Sequence, residues 1–282
     1  MAETATAWAP GNISGVFKVI PHEDPARMHS LGLGFTVREG ATVSLRCGGG
    51  IITFNGEAIE FPTVAALLQR IAPGERLAAE IETPLPLSSG FGLSGASSLA
   101  AAYAANALLD LGLSERALAT AAHVAEVENL TGLGDVCAQY HGGCLVKLVA
   151  GDPLAAQRMP LAPGAPIHYR YFGSIRTRDI LSDPERRQRI NAAADEALAA
   201  LADLRDAPSL DLGRVIRESR SFAAGSGLMA HEGVRAAVDQ VTGSGGEASM
   251  IMLGNAVFSD VPFAGSTETA LSTRRVGVKI EP

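Results

Sequence analysis

From Pro86 to Ser98 the chain reads Pro-Leu-Ser-Ser-Gly-Phe-Gly-Leu-Ser-Gly-Ala-Ser-Ser, and an alanine-rich helical run follows at once. Glycines at 90, 92 and 95 let the backbone turn tightly and approach a ligand closely, because no Cβ stands in the way. The run that follows, Ser98 to Leu111, reads as a buried helix ended by Gly112. At a helix start, unpaired N–H groups and the helix dipole both favour an anion. The stretch therefore fits a phosphate cradle, or else a tight turn between a strand and a buried helix. No Gly-Lys-Ser/Thr follows, so it is not a Walker A motif, and it lacks the spacing of a dinucleotide fingerprint. A phosphate held here needs its remaining countercharge from elsewhere.

With 282 residues there is room for two modest domains or one large one. A hydrophobic content of 47% and a charged content of 19% mark a folded chain. The formal net charge of −7 argues against a nucleic-acid surface, which needs clustered Lys and Arg, but a cleft can still be locally positive. Cys47, Cys137 and Cys144 lack zinc-ligand spacing and fit a reducing cytoplasm with buried thiols. Met1 to Pro10 has no basic start and no apolar core, so no signal peptide is expected. The uncharged stretch Thr83 to Leu109 fails as a membrane span, because prolines, glycines and serines fill its first half.

Strands are expected at Ile51–Phe54, Glu57–Phe61 and Leu77–Ile81, with a hairpin turn at Asn55-Gly56. Thr63 to Ile71 has helical spacing and stops at Pro73-Gly74, and Ser114 caps a helix through Glu128. Gly143 to Ala150 returns as a strand. Met159 to Pro166 marks a boundary, dividing the chain into 1–160 and 161–282. Beyond it come a strand at Ile167–Phe172, a helix from Asp183-Pro184 to Asp206, and helices at Leu212–Phe222 and Val234–Val241. Strands at Met250–Phe258 and Val276–Ile280 complete a two-domain α+β chain.

Three further segments stand out: Ala9-Pro-Gly-Asn-Ile-Ser-Gly15, Ala125-Glu-Val-Glu-Asn-Leu-Thr-Gly-Leu-Gly-Asp135, and Gly243-Ser-Gly-Gly-Glu-Ala-Ser-Met-Ile-Met-Leu-Gly-Asn255. In this order, over nearly the whole chain, they and the glycine loop resemble the GHMP kinase superfamily of galactokinase, homoserine kinase and mevalonate kinase. Within it, Ala-Glu-Val before Thr-Gly-Leu-Gly-Asp, Met-Leu-Gly-Asn-Ala-Val-Phe, and Phe172-Gly-Ser-Ile-Arg-Thr177 resemble the archaeal pantoate kinase subfamily. The resemblance implies a first domain like the second domain of ribosomal protein S5, a ferredoxin-like second domain and a cleft between them. It also implies phosphorylation of pantoate to 4-phosphopantoate by ATP with Mg²⁺, in the cytoplasm. Homoserine, a mevalonate-like acceptor, or ligand binding without turnover are the alternatives. The implied partner is a small molecule, with a homodimer allowed and neither nucleic acid nor membrane expected.

By that resemblance, Pro86, Ser88, Ser89, Gly90, Phe91, Gly92, Leu93, Ser94, Gly95 and Ala96 form the nucleotide loop, with Phe91 and Leu93 as variants. Ser94 and Glu126 would hold the metal, in competition with Glu128, although two residues apart on a helix the two acids face different ways. Asp135 would accept or orient the acceptor's hydroxyl proton. Mevalonate kinase-like members carry a lysine after Pro-Gly; here Asn12 stands there, and the chain's lysines are Lys18, Lys147 and Lys279. An acceptor carboxylate calls for arginine forks or backbone amides. Asn12, His22, Arg27, Ser30 and Arg176 are the candidates, with His29 and Arg178 in the same segments.

Overall fold

The computed structural model describes residues 3–160, 162–175, 177–206 and 209–279, with backbone alone for residues 204 and 205. The first half holds β1 (Thr4–Ile20), β2 (His29–Cys47), β3 (Ile52–Phe54), β4 (Glu57–Ala58), α1 (Pro62–Ile71), β5 (Leu77–Glu82), α2 (Leu93–Leu109), α3 (Glu115–Asn129), α4 (Asp135–His141), β6 (Cys144–Lys147) and β7 (Gln157–Met159). The second holds β8 (Pro166–Gly173), α5 (Thr177–Leu181), α6 (Pro184–Leu201) running into a 3-10 turn (Ala202–Asp206), α7 (Leu212–Gly225), α8 (Glu232–Gly243), β9 (Ala248–Met250), β10 (Asn255–Ser259), β11 (Thr267–Ala270) and β12 (Gly277–Val278).

Two long antiparallel strands, β1 and β2, form the spine of a sheet ordered β12-β1-β2-β5-β3-β4, with β6 joining β2 and β7 beyond it. The pairing of β1 with β2 shifts register between Pro10 and Asn12 and again between Ser14 and Val16. Such bulges re-aim side chains, and here they bracket the first motif. The alanines of α2 carry almost no bulk, so this helix is buried nearly all round and packs closely on β1, β2, α1 and α3. A second sheet, β11-β8-β10-β9, backs onto α7 and α8. Its core is continuous with the first through edge-to-face pairs, Phe17 on Phe222 at 5.6 Å and Phe35 on Phe258 at 5.8 Å. The chain then returns to the first sheet, where β12 pairs with β1.

Several expected elements stand where the sequence puts them. Ser114 caps α3 by accepting from the Ala117 N–H at 3.2 Å, Asp183 caps α6, and Asn55-Gly56 turn the β3–β4 hairpin with positive φ at both residues. Other expectations need correction. The strands expected at Glu57–Phe61 and Val276–Ile280 shorten to Glu57–Ala58 and, among the described residues, Gly277–Val278, and the Cys47 thiol, expected buried, is exposed. The helix expected from Ser98 begins at Leu93, which puts Ser94, Gly95 and Ala96 in its first turn. The α-helix after Asp183 stops at Leu201 and tightens to 3-10 geometry. The strand expected at Gly143–Ala150 is confined to Cys144–Lys147. The run Met250–Phe258 is two strands, because the chain reverses between them with Leu253 at φ +63°.

Candidate active site

The glycine loop is shaped by three left-handed residues in five: Ser88 at φ +59°, Gly90 at +89° and Gly92 at +60°. Phe91 among them and Leu93 just after them are buried, and Phe91 packs edge-on against Tyr169 of β8 at 4.9 Å. The variant side chains thus anchor the loop in the core, and Gly92 serves as N-cap of α2. The loop is clamped on two more sides. The Asn12 N–H donates to the Phe91 carbonyl at 2.9 Å, and the buried Gln139 amide donates to the Gly92 carbonyl at 2.8 Å.

A cleft of about 690 Å³ opens over this loop, lined by residues 87–94, by 129–135 and by residues of α1, α5 and the β9–β10 turn. The N-terminal ends of α1, α2 and α4 all reach it through Pro62 and Thr63, Leu93 and Ser94, and Asp135. Among the described residues that line it, Arg178 is the one cation. An anion here is met mainly by helix ends and backbone amides.

Glu126 lies one turn from the end of α3 and is buried. Its Oε1 accepts from the Ser94 hydroxyl and, at 2.8 Å, from the Thr131 hydroxyl. Thr63 adds a third hydroxyl, 3.2 Å from that of Thr131 and 3.4 Å from that of Ser94. Oε2 is buried without a partner, beside Gly132, where a Cβ would stand 2.3 Å from it. Burial pushes the carboxyl up to about 7 against the pull of the Ser94 and Thr131 hydrogen bonds, and the Asp135 charge adds to the rise. Glu128, two residues on, faces outward and takes both its hydrogen bonds from Arg70, at 2.7 and 2.8 Å.

The raised value has a sign that can be checked. The folded chain holds the Glu126 proton more tightly than the unfolded one, so this group favours folding below its ordinary 4.5 and ceases to do so as pH rises through about 7. In metal-free protein, the melting temperature of Glu126→Gln relative to wild type is expected to climb between pH 5 and pH 8. Calorimetry in a chelating buffer checks this; a difference that stays constant over that range contradicts it.

Asp135 opens α4, half-buried at the cleft wall. Its Oδ1 accepts from Asn12 Nδ2 at 2.7 Å and from the Ser14 hydroxyl at 3.3 Å. Burial pushes its carboxyl above the ordinary range, opposed by those two bonds. Asn12 and Ser14 come from the bulged part of β1, so the β-bulges are what bring the first motif onto the acid. A recess of about 50 Å³ adjoins the cleft through Ser14, Phe17, Ser30 and Gly134, and is lined further in by Asn12, Gly34, Cys137 and Lys147. Lys147 is buried there, its ammonium donating to the Asp152 carbonyl at 2.6 Å, and burial lowers its pKa.

Ser94, Glu126, Asp135, Asn12, Ser30 and the loop thus converge. His22 and Arg27 do not: both are exposed in the turn between β1 and β2, outside the cleft and recess linings, because β2 starts only at His29 and carries Ser30 inward. Arg176 lies outside the described residues. Lys18 reaches α6, 2.5 Å from Asp195, away from the site. His29 and His123 are buried on main-chain carbonyls of Arg27 and Met28, and burial lowers both, His123 to about 4. Ser14, Thr63, Thr131, Gln139 and Lys147 are site residues that sequence reasoning did not assign. Ser14 and Thr131 sit inside motifs already marked; Thr63 and Gln139 carry no local signal.

The model for the GHMP kinases N terminal domain matches residues 59–143. A pantoate kinase of Methanospirillum hungatei is 31% identical over 262 residues, covering 90% of this chain and 86% of the relative. That of Methanocaldococcus jannaschii is 29% identical over 254 residues, covering 89% and 90%. Among solved structures, a phosphotransferase related to the CoA biosynthesis pathway superposes with a TM-score of 0.81 at 23% identity, covering 98% of both chains, which shows the shared fold. The chain belongs to the GHMP kinase family, with archaeal pantoate kinases among its relatives.

Proposed function

We propose that this chain transfers the γ-phosphoryl group of ATP to the primary hydroxyl of pantoate, giving 4-phosphopantoate. The pantoate kinase relatives span nearly the whole chain and support the choice of acceptor. The observation that carries the chemistry is the position of Asp135. It stands between the amides of the phosphate loop and the recess, with Oδ1 held by Asn12 and Ser14.

Phosphoryl transfer is mostly positioning and neutralisation of charge. The N–H groups of residues 90–96 and the three helix ends hold the triphosphate. Mg²⁺ fits the site: Glu126 Oε2 is a buried orphan, and Ser94 can donate its proton to Oε1 while keeping lone pairs for a cation. Mg²⁺, when bound, offsets charge on the transferred phosphates. The acceptor's alcohol sits at Asp135, which takes its proton as the oxygen attacks. Its carboxylate reaches the recess, where the Lys147 ammonium is the cation among the lining residues. We also propose 1–160 and 161–282 as the two lobes of this machine, with β12 as a strand the second lobe returns to the first. A cytoplasmic location, where its three thiols stay reduced, goes with the reading.

With ATP and Mg²⁺, ADP release is expected when pantoate is supplied and not with homoserine or mevalonate. A coupled ADP assay across these alcohols tests it. Release with homoserine and not with pantoate moves the acceptor, and nucleotide binding without release in any case removes the enzyme.

A further inference from the structure

Asn12 faces two chemistries. Its Nδ2 donates to Asp135 Oδ1 at 2.7 Å and to Ser14 Oγ at 3.1 Å. Its Oδ1 is buried and takes no hydrogen bond from the protein. That oxygen lies next to Gly34, where a Cβ would come within 3.4 Å of it, and both residues line the recess. A buried carbonyl without a donor is an exception that asks for one. Asp135 lines the cleft, while Asn12, which holds Asp135, lines the recess together with Lys147.

An acceptor with its reacting alcohol at Asp135 and its carboxylate at Lys147 places the carbon next to that carboxylate at the level of Asn12. We infer that Asn12 Oδ1 accepts a hydrogen bond from a hydroxyl on that carbon, which makes Asn12 a specificity-determining residue for 2-hydroxy acids. The inference rests on the kinase reading above. A 2-oxo group presents only lone pairs to Oδ1, and a 2-deoxy acid presents nothing. A site built to pair a substrate hydroxyl rejects the analogue that lacks it, because its own polar group is left unpaired.

The test compares kcat/KM for pantoate with that for 4-hydroxy-3,3-dimethylbutanoate and for its 2-oxo counterpart, in wild type and in Asn12→Ala. Wild type is expected to favour the 2-hydroxy acid by at least about 10-fold, the cost of leaving one buried polar group unpaired. In Asn12→Ala, kcat falls for all three, since Asp135 loses its brace, and the preference shrinks to within about threefold. That collapse is a readout the bracing role alone does not move, because bracing affects every acceptor alike. Dissociation constants for the acids, measured by calorimetry with a non-hydrolysable ATP analogue, carry the same ratio if the variant turns over too slowly. Equal use of the three acids by wild type, or an undiminished preference in Asn12→Ala, overturns the inference and leaves the kinase reading standing. Turnover of none of the three by wild type overturns the acceptor reading, and the inference with it.

Discussion

Asp135→Asn is expected to lower kcat with pantoate by about 10²- to 10⁴-fold, the range for loss of a positioned general base, while nucleotide affinity stays within about threefold of wild type. The substitution is close to isosteric. An asparagine here can still accept at Oδ1 from Asn12 and Ser14, which hold the aspartate at 2.7 and 3.3 Å, so the wall of the cleft keeps its shape. What is lost is the charge and the ability to take a proton. The wild-type rate should rise with pH through a carboxyl titrating above the ordinary aspartate range, because burial disfavours the charged form at this position. In Asp135→Asn that limb should vanish from the residual rate. Steady-state kinetics from pH 4 to 9 measure both. Activity within a few-fold of wild type would remove Asp135 from the chemistry and leave positioning to account for the whole rate.

Gly254→Ala is expected to raise the KM for ATP at least about tenfold and to lower the melting temperature. The cause is spatial. A Cβ at Gly254 would stand 1.9 Å from the Ser89 carbonyl oxygen and 2.1 Å from its carbon, both backbone atoms of the phosphate loop. Something must shift, and the β9–β10 turn is held by the Gly254 N–H to the Ile251 carbonyl at 3.2 Å and by the Ala256 N–H to the Gly254 carbonyl at 2.8 Å. Overpacking of this kind costs about 1–3 kcal/mol, and here it falls on the amides that face the nucleotide. Phe91, packed on Tyr169, ties the same loop to the second sheet, so the disturbance spreads across the lobe contact. Nucleotide titration and thermal melts check this. An unaltered KM for ATP would show that the third motif packs beside the loop without shaping it.

These two positions also show how far residue patterns carry. The glycine loop was readable because left-handed backbone and a helix start leave their mark in consecutive residues. The preference for Glu126 over Glu128 came from the family resemblance; helical period says only that the two face different ways, and Glu128 does turn outward to Arg70. Helix α4 went unassigned because seven residues are too few for an apolar period to show. Strands β1 and β2 went unassigned for a different reason. Bulges between Pro10 and Asn12 and between Ser14 and Val16 break the two-residue alternation that marks a strand. The same bulges aim Asn12 and Ser14 at Asp135, so the features that hid the strand are the ones that build the site. Lys147 shows the limit of local reading, since nothing in Val146-Lys147-Leu148 signals the recess that encloses it.

The most direct trial is a crystal structure with a non-hydrolysable ATP analogue, Mg²⁺ and pantoate bound together. The β- and γ-phosphates should rest on the N–H groups of residues 90–96, with the metal between Ser94 and Glu126 Oε2. The primary hydroxyl of pantoate should lie within hydrogen-bond reach of Asp135 and face the terminal phosphorus. A triphosphate seated elsewhere in the cleft, or an alcohol remote from Asp135 with the carboxylate in its place, would contradict the account.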